Sequence, residues 1–189
     1  SLFKAFMFLF SGSVLGKLIG FAREVLMAAI FGTSSYISAY RIAQAGTIIP
    51  IDAFLSKNLE VGFLPLYIRY AKNDDKKAKA LFAGLFFLSM ILAAVIFLLL
   101  YLGSSLWVSI LAPGMDPETK VLTESMLRVT SIAVPLYVLG SLLARLEMAY
   151  DKYAMASLRS TIQSLGLIAG TLFAFYFKNA IFLGWGFTW

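Results

Sequence analysis

Among the ionisable side chains inside the first two apolar stretches of this chain, five stand out: Lys17, Arg23 and Glu24 in the first, Arg41 and Asp52 in the second. A charge at the centre of a bilayer costs roughly 2.5–3.5 kcal/mol even on lenient insertion scales, so several together imply a polar cavity or tight ion pairing. On a helix advancing ~100° per residue, Gly12, Ser13, Gly16, Lys17, Gly20, Arg23 and Glu24 share an arc of about 140°. Leu15, Leu18, Ile19, Phe21, Ala22, Val25 and Leu26 fill the rest. Gly12, Gly16 and Gly20 form two small-xxx-small steps, the pattern of close helix–helix contact. Arg23 and Glu24 could snorkel to the outer end of the helix, whereas Lys17 has less freedom. Arg41, Ala45, Ile48 and Asp52 share a face about 40° wide. Arg41 and Asp52 are about 16 Å apart along the axis, so each needs another partner or water. Three cations against two anions leave a net positive site. A guanidinium fork suits a pyrophosphate and a lysine serves as a point charge, whereas an exporter of cations would show an acid-rich pocket.

The composition explains why these few charges matter. Of 189 residues, 60% are hydrophobic and 14% charged, and the mean hydropathy is +0.84. Ordinary soluble domains carry about 25% charged residues. A 20.8 kDa globule cannot hide so much apolar surface, which nearly excludes a soluble enzyme and makes the bilayer the natural solvent. There is no Cys, hence no disulfide, thiolate nucleophile or zinc cluster. There is no His, which removes the usual metal ligand and proton shuttle. P-loop, dinucleotide-binding, HExxH and nucleophile-elbow motifs are all absent, so neither an enzyme nor a cofactor is indicated. In a soluble protein the net charge of +6 would suggest nucleic acid; here the cations are read as topology signals, and nucleic acid is not an expected partner.

The elements that must position the charges are read as an all-α, polytopic transmembrane bundle of about six spans. These cover about 2–31, 36–68 (bent near Pro50 and Pro65), 80–103, 121–143 (carrying Pro135), 156–177, and an incomplete sixth at 180–189. The polar run 69–79, the segment 104–119 with Trp107, and the turn 145–152 are expected between them. Nine cations (Lys4; Arg69, Lys72, Lys76, Lys77, Lys79; Arg145, Lys152, Arg159) lie at the N-terminus and in the even-numbered loops. Only Lys120 and Lys178 lie in the others. That asymmetry places the N-terminus in the cytoplasm. The basic 69–79 run is chiefly a topology determinant, with contact to anionic membrane lipids as the alternative. Arg159, Ser160, Gln163, Gly166 and Gly170 share a face that reads as a packing stripe. The ending at Trp189 and the missing initiator Met suggest an incomplete protein.

The stretch Gly16-Lys-Leu-Ile-Gly-Phe-Ala-Arg-Glu-Val-Leu-Met-Ala-Ala-Ile-Phe-Gly32 resembles the first-helix signature of the MviN/MurJ-type lipid II flippases, members of the multidrug/oligosaccharidyl-lipid/polysaccharide exporter superfamily. The resemblance continues through Ser38-Ala39-Tyr40, Gly62-Phe63-Leu64-Pro65, Ala112-Pro113-Gly114-Met115 and Tyr150-Asp151-Lys152-Tyr153. It implies a transporter of the bacterial inner membrane with two helical lobes around a central cavity, residues 1–189 being most of the first lobe and a C-terminal lobe lying beyond them. Its expected cargo is a lipid-linked anionic peptidoglycan precursor, moved to the outer face by alternating access. Lys17 and Arg23 match two basic cavity positions, the first with Lys for Arg, and Glu24 matches the acid beside the second. Ser38 stands where the family usually has an acid, and Ile51-Asp52 where it usually has an Arg pair. Arg41 is a cation the family pattern does not predict. Lys17, Arg23 and Arg41 are thus the expected substrate-binding residues, and Glu24, Ser38 and Asp52 the cavity or gating residues. A flippase for another lipid-linked oligosaccharide and a non-transporting membrane scaffold are the alternative readings.

Overall fold

The computed structural model describes residues 2–53, 62–150 and 154–188, with the side chains of residues 2–13, 15, 64, 154, 156, 157 and 160 outside the description. All the described regular structure is helical: α1 Leu2–Phe31, α2 Ser35–Ile51, α3 Leu64–Asn73, α4 Asp75–Leu102, α5 Ser104–Leu111, α6 Pro117–Ser131, α7 Ala133–Ala149, α8 Ala154–Phe177 and α9 Ile181–Phe187. Asp151–Tyr153 of the family-like turn, Phe54 at the end of the second apolar stretch, and Trp189 lie outside the described residues.

Helix boundaries depart from the sequence expectation where polar residues cap or extend helices. The run 69–79 is not a loop. Its first part ends α3, Asp74 accepts the Lys77 amide at 3.2 Å as an N-cap, and α4 begins at Asp75. Ion pairs Asp74–Lys77 (3.3 Å) and Asp75–Lys79 (2.6 Å) line this first turn, where acids oppose the helix dipole. The segment 104–119 is likewise mostly helical, and Trp107 in α5 points inward rather than to an interface. Asp116 caps α6 through the Thr119 amide at 2.9 Å, which holds its carboxyl below the ordinary range.

The prolines act through the carbonyl each leaves unpaired, because a proline lacks the N–H that residue i−4 would otherwise receive. Pro135 withdraws the donor for Ser131, and α6 and α7 meet there at a 40° bend across Ile132. Pro50 withdraws the donor for Gly46, yet α2 continues to Ile51. The Gly46 carbonyl instead accepts the Trp107 indole N–H at 3.0 Å, tying α5 onto α2. Nearby, the buried hydroxyls of Thr47 and Thr130 bond at 2.8 Å and clasp α2 to α6.

Three apolar clusters fill the interior. Met27, Tyr40, Ala43, Val108, Met126, Leu127, Leu167 and Leu183 join α1, α2, α5, α6, α8 and α9. Ile51, Ala93, Ile96, Val134, Val138 and Leu142 join α2 to α4 and α7. Phe63, Tyr67 and Ala78 gather Tyr70, Phe82 and Leu146, and the Tyr67 and Tyr150 hydroxyls meet at 3.0 Å. Outside, α4 presents Phe87, Leu88, Leu98, Leu99 and Leu102, each more than half exposed. So bare an apolar face marks a surface covered by hydrocarbon or by further protein. Among the described residues α4 is long and apolar enough to cross a membrane, and α6 with α7 form a bent second candidate.

The backbones of α8 and α9 approach closely at their glycines. A Cβ on Gly170 would stand 2.6 Å from the Phe182 carbonyl oxygen and 2.7 Å from Gly186 Cα. The Gly166–Gly170 part of the expected stripe therefore packs.

Two outcomes are expected in thermal melting of the detergent-solubilised protein. Gly170→Ala forces backbones apart and costs about 1–3 kcal/mol, while Gly84→Ala, with nothing within 4 Å of its added Cβ, is neutral or stabilising. Trp107→Phe orphans the Gly46 carbonyl and costs about 1–3 kcal/mol. In a Pro50→Ala background that loss shrinks, because residue 50 regains the N–H that the carbonyl lacked.

Candidate anion-binding site

The site is built where the C-terminal half of α1 faces the N-terminal half of α2. The face of α1 nearest Gly16 and Gly20 lies against α8: Gly16 is buried, a Cβ on Gly20 would lie 3.7 Å from the buried Ser164 hydroxyl, and Met27 is 2% exposed. The small-residue series thus serves helix contact at Gly16 and Gly20; Gly12, Ser13 and Lys4 have side chains outside the described set. The opposite face, with Leu18, Phe21 and Val25, is open. Charge and small residues therefore do not form one functional face, because the glycines are consumed in packing and the charges occupy the edge.

At that edge the Glu24 carboxylate is shared. Its Oε1 accepts from Arg23 Nη2 at 2.5 Å, and its Oε2 accepts from Arg41 Nη2 of α2 at 2.6 Å. Side-chain exposure rises outward, from 20% at Arg23 through 40% at Glu24 to 58% at Arg41. One carboxylate between two guanidiniums leaves one positive charge in excess, with N–H groups on Arg41 facing the open side. That arrangement can receive an anion without first building a site for it.

The remaining candidates are spread along the same two helices. Lys17 is exposed two turns before Glu24, about 10 Å away along the axis, so it can serve a second anionic group but not the same oxygen. Arg41, Ala45 and Asp52 are all exposed with Ile48 partly so, making the expected stripe the open face of α2. The distance argument against an Arg41–Asp52 pair agrees with Arg41 pairing with Glu24. Ser38, one turn before Arg41, lines a separate cavity of about 390 Å³ with Thr33, Ser35, Pro113, Asp116 and Thr119.

Two further cations lie away from this edge. Arg128, within the fourth predicted span, was not among the candidates; its Nε donates to the buried Ser104 hydroxyl at 2.9 Å, a link from α6 to α5. Arg159 lies over the Tyr137 ring, 3.9 Å from its centroid, in a cavity of about 390 Å³ that also includes Gln163. The stripe on α8 therefore divides into a packed glycine part and a polar, cavity-lining part. Among the described residues, no group of three His, Cys, Asp or Glu side chains comes together to hold a metal ion.

Comparison with known proteins places this architecture. A family model described as "Lipid II flippase MurJ" matches residues 27–189, so Ser38, Arg41 and Asp52 lie inside the match while Lys17, Arg23 and Glu24 precede it. The "Probable lipid II flippase MurJ" of Thermotoga maritima is 25% identical over 162 residues, covering 86% of this chain and 34% of the relative. The "Lipid II flippase MurJ" of Thermosipho africanus is 27% identical over 155 residues (82% and 32%). The "Probable lipid II flippase MurJ" of Synechocystis is 26% identical over 163 residues (84% and 30%). The chain spans about a third of the length of these curated relatives. With the family model covering most of its residues, the chain belongs to the MurJ lipid II flippase family.

Proposed function

We propose that this chain forms the first lobe of a two-lobe flippase. The flippase carries a polyprenyl-pyrophosphate-linked peptidoglycan precursor, lipid II, across the bacterial inner membrane by alternating access. The observation that carries the reading is the Glu24 carboxylate shared between Arg23 and Arg41, a net positive cluster on helices otherwise apolar. A scaffold has no use for excess charge at such a depth, since the desolvation cost is repaid only by a partner of opposite sign.

In this reading α1, α2–α3, α4, α6–α7, α8 and α9 supply about six spans, with the N-terminus cytoplasmic, and a C-terminal lobe completes the cavity. Arg23 and Arg41 bind the diphosphate through the guanidinium donors that Glu24 leaves free, and Lys17 adds a point charge two turns earlier on α1. Glu24 holds the two arginines in register between cargo loads, while Ser38 and Asp52 line the two ends of the open face of α2. The protein acts as a carrier: it lowers the barrier to moving a charged headgroup through hydrocarbon and makes or breaks no covalent bond.

The family names of the relatives support the substrate class, and the excess cation supports its anionic character. In the complete protein, Arg23→Ala is expected to abolish transport of the pyrophosphate-linked precursor in proteoliposomes while insertion and expression persist. Full activity in that variant would remove Arg23 from the site and with it the basis of this assignment.

A further inference from the structure

Two buried polar atoms beside the Glu24 bridge have no hydrogen-bond partner among the described residues: Arg23 Nε and the Tyr40 hydroxyl oxygen. Tyr40 is 3% exposed and sits in the α2 face that packs into the main core beside Ala39 and Ala43. Its hydroxyl lies within electrostatic reach of Arg23, Glu24 and Arg41. Buried polar groups are almost always paired, and each exception in a native structure calls for an explanation. The Glu24 carboxylate does not supply it, because Oε1 and Oε2 are already engaged by Arg23 Nη2 and Arg41 Nη2.

The chemistry of the two atoms is informative. Arg23 Nε can only donate, and a tyrosine hydroxyl donates well to a charged oxygen. The Arg23 Nη2 group holds the bridge, so the guanidinium still has a donor to offer. We infer that Tyr40 is a binding residue of this site, its hydroxyl and Arg23 Nε forming an inner seat for one anionic phosphate oxygen. The anion then enters without breaking the Glu24 bridge: Arg41 holds it from the open side and the seat from within. This inference rests on the pyrophosphate-linked reading of the cargo. A phosphate oxygen also belongs to anionic phospholipid headgroups, so the experiment must separate the two sources.

The complete protein in phosphatidylcholine nanodiscs serves for the test, with polyprenyl-pyrophosphate-linked precursor as probe and phosphatidylglycerol as competitor. Tyr40→Phe removes one hydroxyl and keeps the ring. Its affinity for the probe is expected to fall about ten-fold or more, the size of a lost hydrogen bond to a charged group. In transport the loss should fall on apparent KM more than on maximal rate. The melting temperature without probe should stay level or rise, since a buried unpaired hydroxyl has been removed. Unchanged probe affinity would overturn the inference, and so would a fall in melting temperature at unchanged affinity, which marks a structural role. A change confined to phosphatidylglycerol competition would also overturn it, assigning the seat to membrane lipid. Arg23→Gln separates this from the reading beneath it: if that variant still binds the probe normally, the pyrophosphate site itself fails. If Arg23→Gln loses binding and Tyr40→Phe does not, only the seat fails.

Discussion

The carboxylate of Glu24 holds two guanidinium groups on two helices that otherwise touch little, for α1 packs chiefly against α8 and α2 chiefly against α6. It is therefore both an electrostatic and a mechanical link. Two arginines at this spacing repel without it, and the C-terminal half of α1 loses a polar tie to α2. Every other observation on the site follows from this shared carboxylate: the excess positive charge, the open side of Arg41, and the unused donor of Arg23.

The helices around the site contain two breaks in their backbone ladders. Two prolines and two different remedies illustrate how this is managed. At Pro135 the chain bends and two helices take the place of one. At Pro50 a tryptophan from a neighbouring short helix supplies the missing donor, and the helix that carries Arg41 runs on to Ile51. The Thr47–Thr130 bond anchors the packed face of that helix below Tyr40 and Arg41. Positioning of the site thus depends on buried polar contacts that hydropathy alone does not report.

Much of the fold was legible in the sequence because lipid imposes a strong rule: an apolar run of sufficient length becomes a helix that satisfies its own backbone. The bounds of α1 coincide with the first apolar stretch, and Pro135 marks the bend. Polar segments were harder to read. Residues 75–79 read as a loop from their charges and 104–111 as part of a loop carrying Trp107 and Pro113-Gly114, but both are helical, the first because Asp74 caps it and the second because its apolar side packs inward. For the site, spacing correctly denied an Arg41–Asp52 pair, and helical phase gathered Lys17, Arg23 and Glu24. The Glu24–Arg41 bridge joins different helices, which periodicity within one helix cannot predict. Tyr40 was missed for a similar reason. A tyrosine in an apolar run looks like core, and only its packing shows a hydroxyl buried beside charges without a partner.

On the proposed function, Lys17, Arg23 and Arg41 face water inside the membrane-spanning region, whereas the bare face of α4 meets hydrocarbon. The most direct measurement places single cysteines at positions 17, 23, 41 and 87 of an otherwise cysteine-free complete protein. Each is then treated, in native membranes, with a water-soluble thiol reagent that reacts only with the ionised thiol. Labelling at 17, 23 and 41 with none at 87 is the predicted result. Resistance at 17, 23 and 41 matching that at 87 would rule out a water-filled cavity there and leave the charges as structural ion pairs.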